Sequence, residues 1–232
     1  MVEEATNHQQ AKAATTTIPI VFSTGSDPVK LGLVASLSRP GGNLTGVMTL
    51  NVELGPKRLE LLHEVVPKAA SLAVLLNSAN PAAENLSRDL QAAARRIGRK
   101  IHELHASTER DLDTAFENLL QLRAGGLVVG TDPFFSGRIA QLAALSIRHA
   151  APAIYQYSFA AAGGLMSYGG NITDGYRQVG VYTGRILAGA NPADLAVQQN
   201  MKVELVINLK AARALGLTVP QWLLARADEV IE

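Results

Sequence analysis

Short runs of aliphatic and β-branched residues alternate along this chain with longer stretches of helical periodicity. Ile18, Ile20, Val21 and Phe22 form one such run, expected as a strand buried on both faces. Ser23, Thr24, Gly25 and Ser26 break it with small polar residues. Asp27-Pro28 then opens a helix, with Asp27 as N-cap and Pro28 at the first helical position, where a missing N–H costs nothing. Leu31, Val34 and Leu37 give that helix an apolar stripe, which Pro40-Gly41-Gly42 ends. The device recurs twice. Residues 73–76 lead into Asn77-Ser78-Ala79-Asn80-Pro81 and a periodic helix, and residues 127–129 lead into Gly130-Thr131-Asp132-Pro133 and another. Asp27, Asn80 and Asp132 can each be read simply as an N-cap. Three such turns at equivalent places also make a polar rim at the C-terminal edge of a sheet, where open α/β sheets bind ligands.

The rest of the chain continues the alternation. A short polar helix is expected over residues 6–14, capped by Thr6, and a strand over 44–50. A helix over 56–66 carries Leu59, Leu62 and Val66 on one side, and one over 81–97 carries Leu86, Leu90, Ala93 and Ile97. A strand at 101–104 precedes a helix over 109–123 that Thr108 caps, with Glu109 and Asp111 suited to its dipole. Then come a strand at 127–129, a helix at 133–149, a strand at 152–155 and a glycine-bounded strand within 163–170. Thr173 is expected to cap a helix reaching Leu187, residues 193–199 to run extended, and a strand at 203–207 and helix at 209–215 to precede a tail over 218–232. Strands separated by helices mean βαβ units, hence an α/β fold with parallel sheets flanked by helices.

Composition narrows the class. Of 232 residues, 47% are hydrophobic and 18% charged, and a formal charge of +1 with no basic stripe argues against nucleic acid as a partner. Without cysteine there is no disulfide, iron–sulfur cluster or thiol catalysis. No apolar run is long enough to span a membrane, and the opening MVEEATNHQQAKAA has neither the basic start nor the apolar core of a secretory signal. A buried strand at Ile18 needs neighbours on both sides, so an upstream portion of the first lobe is expected to be missing. His102 and His105 would point to opposite sides of a strand, and H-E-x-x-H, G-x-S-x-G, P-loop and dinucleotide fingerprints do not occur. No metal, cofactor or catalytic set is expected.

The stretch IPIVFSTGSDPVKLGLVASLSRPGGNLTGV, with LAGANPADLAVQQNMKVELVINLKAARALGLTVPQWLLARADEVIE near the end, resembles the substrate-binding proteins of ABC transporters. The resemblance is to the branch that includes tryptophan- and tyrosine-type amino-acid binders. It implies a two-lobed type I periplasmic-binding-protein fold whose first lobe is incomplete here. Residues 1–50 plus about 171–195 would form that lobe, and 51–170 plus about 196–232 the second, with solute trapped between them. Carried over by position, Thr24, Ser26 and Asp27 belong to the first lobe's binding face, and Asn77, Asn80, Thr131, Asp132 and Tyr155 to the second's. A zwitterionic solute needs N–H and hydroxyl donors for its carboxylate and a carboxylate, first of all Asp132, for its ammonium. Tyr155, Tyr157 and Phe134 could supply an aromatic wall. Each has a plainer alternative: Tyr155 finishing its strand in the core, Phe134 and Phe135 packing a helix start, Thr24 and Ser26 bonding their own turn. The resemblance further implies an ABC permease as partner, binding without turnover, and a periplasmic or membrane-anchored extracytoplasmic location. A cytoplasmic sensory domain of the same fold, or a flavodoxin-like enzyme, would read similarly.

Overall fold

In the computed structural model, backbone is described for residues 2–49, 51–80, 82–200 and 202–232, and side chains for these other than 2–7, 172 and 200. The expected last residue of the second strand, Leu50, the Pro81 of the middle turn and the Thr6 cap lie outside those described parts. The chain divides into two compact units, residues 1–53 with 170–203 and residues 54–169 with 204–232.

In the second unit an unbroken apolar run has to be a central strand, because each of its faces must be covered. β3 (Ser71–Leu76) sends Leu72, Val74 and Leu76 into one core with α2 (Gly55–Val65) and α3 (Ala83–Arg96). Its Ala73 and Leu75 enter the opposite core with α4 (Glu109–Gln121) and α6 (Ile139–Arg148). β5 (Leu127–Val129) and β6 (Ala153–Tyr155) split the same way, Val128 and Ile154 to the first core and Leu127, Val129, Ala153 and Tyr155 to the second. With β4 (Lys100–His105), β7 (Met166–Gly170), β9 (Val203–Asn208) and β10 (Glu229–Ile231), the sheet has the order β10-β9-β7-β6-β5-β3-β4. The chain moves outward from β3 to β4, then returns over β3 to β5, so the direction of winding reverses between β3 and β5. That reversal is the switch point at which α/β sheets open a crevice beyond their strand ends.

The first unit is built on β1 (Ile20–Thr24), β2 (Leu44–Thr49) and β8 (Gln198–Asn200), in that order and all parallel. Phe22, Leu44 and Met48 make its core with Leu33, Val34 and Val197. α1 (Val2–Ala14) reaches β1, where His8 meets Phe22 edge-on at 6.1 Å between ring centres. α7 (Ile172–Leu187) packs against both β1 and β2.

Several local expectations are corrected. The helix read after Asp27-Pro28 is a single turn. Leu33 N–H bonds the Pro28 carbonyl at 2.9 Å and Gly32 N–H the Val29 carbonyl at 2.9 Å, with Gly32 at φ +66°. That is a Schellman closure, so the stop lies at Gly32 rather than at Pro40-Gly41-Gly42. The helix read over 133–149 is two, α5 (Pro133–Ser136) and α6, parted at a Ser-Gly pair. The cap of α7 is Asn171, whose side chain accepts from Asp174 N–H at 2.9 Å, not Thr173. The tail over 218–232 holds α9 (Gln221–Leu224), which follows α8 (Leu209–Ala214), and the edge strand β10. β8, expected in the second lobe, pairs instead with β2. Among the described residues no helix is long and apolar enough to cross a membrane.

Candidate functional site

The polar rim of the second unit gathers at the switch point. The turn after β3 carries Asn77 and Asn80, and the turn after β5 carries Thr131 and Asp132. Because β3 and β5 are neighbours, the two turns meet. Asn77 Nδ2 donates to Asp132 Oδ1 at 3.0 Å and Asn80 Nδ2 to Asp132 Oδ2 at 2.7 Å. Asp132 Oδ1 also accepts Phe134 N–H at 2.8 Å, which caps α5. Asn77 and Asn80 close their own turns in the same manner, accepting from Ala79 N–H at 3.0 Å and Ala82 N–H at 2.9 Å. Asp132 and Asn80 are buried, at 4% and 6% exposure. Asp132 is therefore both an N-cap and the hub that joins two turns.

Next to it, β6 ends in Tyr155, Gln156 and Tyr157. Tyr155 is wholly buried in the core, as its plainer reading had it, yet its hydroxyl reaches the rim, donating to the Asp132 carbonyl at 3.1 Å. Ser136 Oγ donates to that same carbonyl at 2.9 Å and lies 3.0 Å from the Tyr155 hydroxyl. Burial pushes the Tyr155 phenol well above its ordinary range, outweighing the hydrogen bond with Ser136, so it remains a donor at neutral pH. Gln156 Nε2 caps the triangle, donating to Ser136 Oγ at 2.9 Å, to Tyr155 at 3.0 Å and to the Tyr157 hydroxyl at 3.3 Å.

Beneath the rim lies a buried cation that the sequence reading passed over. Arg58, on α2, is 1% exposed; its Nε donates to the Tyr168 carbonyl at 2.7 Å and a terminal nitrogen to Thr131 Oγ1 at 3.0 Å. Desolvation lowers the guanidinium to about 10, while Tyr155, Tyr157 and Tyr168 act weakly in the other direction, so it stays charged at neutral pH. The signal for it was present. The residues three and four positions away, Leu54, Gly55, Leu61 and Leu62, are all apolar or glycine, so Arg58 sits on the inward face of its helix. Phe134 is half-buried with the Arg138 guanidinium 4.0 Å above its ring, and Phe135 is core.

The first unit carries a rim of its own. Thr24 is buried and its Oγ1 accepts Ser26 N–H at 3.2 Å. Asp27 Oδ1 accepts Val29 N–H at 2.9 Å and Lys30 N–H at 3.3 Å. The end of β2 adds two residues not anticipated. Buried Asn51 accepts Gly170 N–H at 2.8 Å through Oδ1 and donates to Thr49 Oγ1 at 3.3 Å. Elsewhere, a groove of about 640 Å³ opens between α3 and the edge strand β4. Its Glu103 carboxylate accepts from Ser87 Oγ and Gln91 Nε2 and lies 3.7 Å from His105 Nε2. No group of three or more metal-ligating side chains is found among the described residues.

Both rims hold fixed hydrogen-bonding groups, and the second adds a buried charge of each sign, Arg58 bonded to Thr131 beside Asp132. This chemistry suits recognition of a polar, dipolar solute. The family described as ABC transporter substrate binding protein matches residues 1–231. A tyrosine-binding protein of Clostridioides difficile is 27% identical over 214 residues, covering 90% of this chain and 60% of that protein. The chain thus spans about 60% of the length of the curated relative it matches. A conserved domain protein from Vibrio cholerae is 30% identical, with a TM-score of 0.84 over 97% of this chain and 76% of that one. An ABC domain from Streptococcus pneumonia, solved in complex with L-Trp, shares the fold with a TM-score of 0.83 at 24% identity, over 98% of this chain and 76% of that one. With its type I periplasmic-binding-protein fold and a match running from the first residue almost to the last, the chain belongs to the ABC transporter substrate-binding protein family.

Proposed function

We propose that this chain is the solute-binding component of an ABC importer and that its solute is an amino acid, an aromatic one foremost. The family is one of solute-binding proteins and not of enzymes. The observation that carries the amino-acid assignment is the pair of opposite charges at the switch point: the buried Arg58 guanidinium held by Thr131, and the adjoining Asp132 carboxylate. A zwitterion presents the complementary pair. Arg58 and the Thr131 hydroxyl suit a carboxylate, since a guanidinium offers several donors in a fixed fork. The field of Asp132 suits an ammonium. Asn77, Asn80 and Tyr155 are proposed to hold these groups in place, and Thr24, Ser26 and Asp27 to be the contribution of the first unit. The 27% identical relative that binds tyrosine supports the reading. An ABC permease is the proposed partner, and the extracytoplasmic side of a membrane the proposed place of work.

Calorimetry tests it. L-Tyrosine and L-tryptophan are expected to bind, and their amides, in which the carboxylate is neutral, at least about tenfold more weakly, the loss of a charge-assisted hydrogen bond. A chain that binds no amino acid, or binds sugars in their place, overturns the assignment.

A further inference from the structure

Gln156 is 2% exposed, and its Oε1 is a buried acceptor with no hydrogen-bond donor among the described residues. Buried polar atoms are nearly always partnered, so an acceptor left open needs a reason. Amide orientation does not supply one. The Ser136 and Tyr155 hydroxyls lie 2.9 Å and 3.1 Å from the Asp132 carbonyl, which also accepts Ser136 N–H at 2.9 Å, and 3.0 Å from one another, so both hydroxyl hydrogens have an acceptor without Gln156. What these two oxygens have left is lone pairs, which call for N–H donors, and Gln156 Nε2 meets both. Turning the amide over would set its oxygen against theirs or strip the Asp132 carbonyl of a donor. The hydroxyl triangle therefore fixes Nε2 inward and leaves Oε1 as an oriented, desolvated acceptor at the C-terminal end of β6, beside the switch-point residues.

We infer that Gln156 is a specificity-determining residue, whose Oε1 receives an N–H of the solute's ammonium group. The inference rests on the amino-acid reading above and assigns to Gln156 the directional bond that the Asp132 carboxylate, already holding Asn77, Asn80 and Phe134, supplements through its charge. An acceptor desolvated in advance favours a solute that brings a charged donor and disfavours one that brings none, because the latter leaves Oε1 open.

The test uses L-tyrosine and L-tryptophan beside their desamino counterparts, 3-(4-hydroxyphenyl)propionate and 3-(indol-3-yl)propionate, titrated into the wild-type chain, Gln156→Met and Gln156→Glu. Wild type is expected to prefer each amino acid over its desamino partner at least about tenfold. In Gln156→Met, which keeps length and loses the acceptor, that ratio is expected to fall by about tenfold. In Gln156→Glu, whose second carboxylate oxygen draws a hydroxyl hydrogen of Ser136 or Tyr155 from the Asp132 carbonyl while the first keeps the acceptor at the same reach, the preference is expected to persist. A ratio unchanged in Gln156→Met, or abolished in Gln156→Glu that still melts cooperatively, overturns the role of Gln156 and leaves the amino-acid reading standing. Wild type that binds neither amino acid overturns that reading, and the role of Gln156 with it.

Discussion

The Asp132 carboxylate accepts hydrogen bonds from the Asn77 and Asn80 amides and from Phe134 N–H. Loss of the cap alone would cost about 1 kcal/mol. The two asparagine amides change that sum, because truncation leaves two further donors without an acceptor at a buried place. Asp132→Ala is expected to lower stability by about 3 kcal/mol, read as a shift of the urea midpoint at constant slope. Asp132→Asn, which keeps one acceptor, should lose less. That Asp132 would cap a helix was legible from Asp-Pro after a strand. Its bonds to Asn77 and Asn80 were not, since they depend on β3 and β5 being neighbours, a fact of winding that no local pattern states. Arg58 was legible in principle, as a charge on an apolar helical face. Gln156 was not: between two tyrosines, nothing about its spacing separates an inward from an outward amide.

Elements read most easily where the physics is local. Thr108 and Asp111 form a full capping box at the start of α4, as hydroxyl and acid three residues apart suggest. After β1 a glycine overrides an apolar stripe: Leu31, Val34 and Leu37 keep helical spacing, but Gly32 turns the chain after one turn. Leu33 and Val34 then reach the core without a helix. Glycine matters again at Gly46, where a β-carbon would stand 2.1 Å from the Phe22 carbonyl oxygen on the paired strand β1. β1 and β2 cannot part without breaking their ladder. Gly46→Ala is accordingly expected to destabilise the first unit by about 3 kcal/mol or more, seen as faster amide exchange in β1 and β2 while β3 and β5 keep their protection.

For the molecule as a whole, the alternation of strand and helix was enough to give parallel sheets and the α/β class, because apolar runs and helical stripes follow one another with little ambiguity. The allocation of the stretch around residues 196–203 was less legible. β8 reads Gln198-Gln199-Asn200, with no apolar alternation, and joins β2 through its backbone. A strand recruited by main-chain bonds leaves little trace in side-chain pattern.

The division into two units has a covalent consequence. Because each unit is assembled from two separate lengths of chain, the polypeptide passes between them three times, after Glu53, after Gly169 and after Val203. One protease nick after Glu53 therefore severs a single link and leaves two intact, while residues 1–53 stay clamped by the ladder between β2 and β8. Such a nicked sample should elute as one species from a native sizing column and come apart into two bands only in detergent. Separate elution of the fragments without denaturant would contradict it.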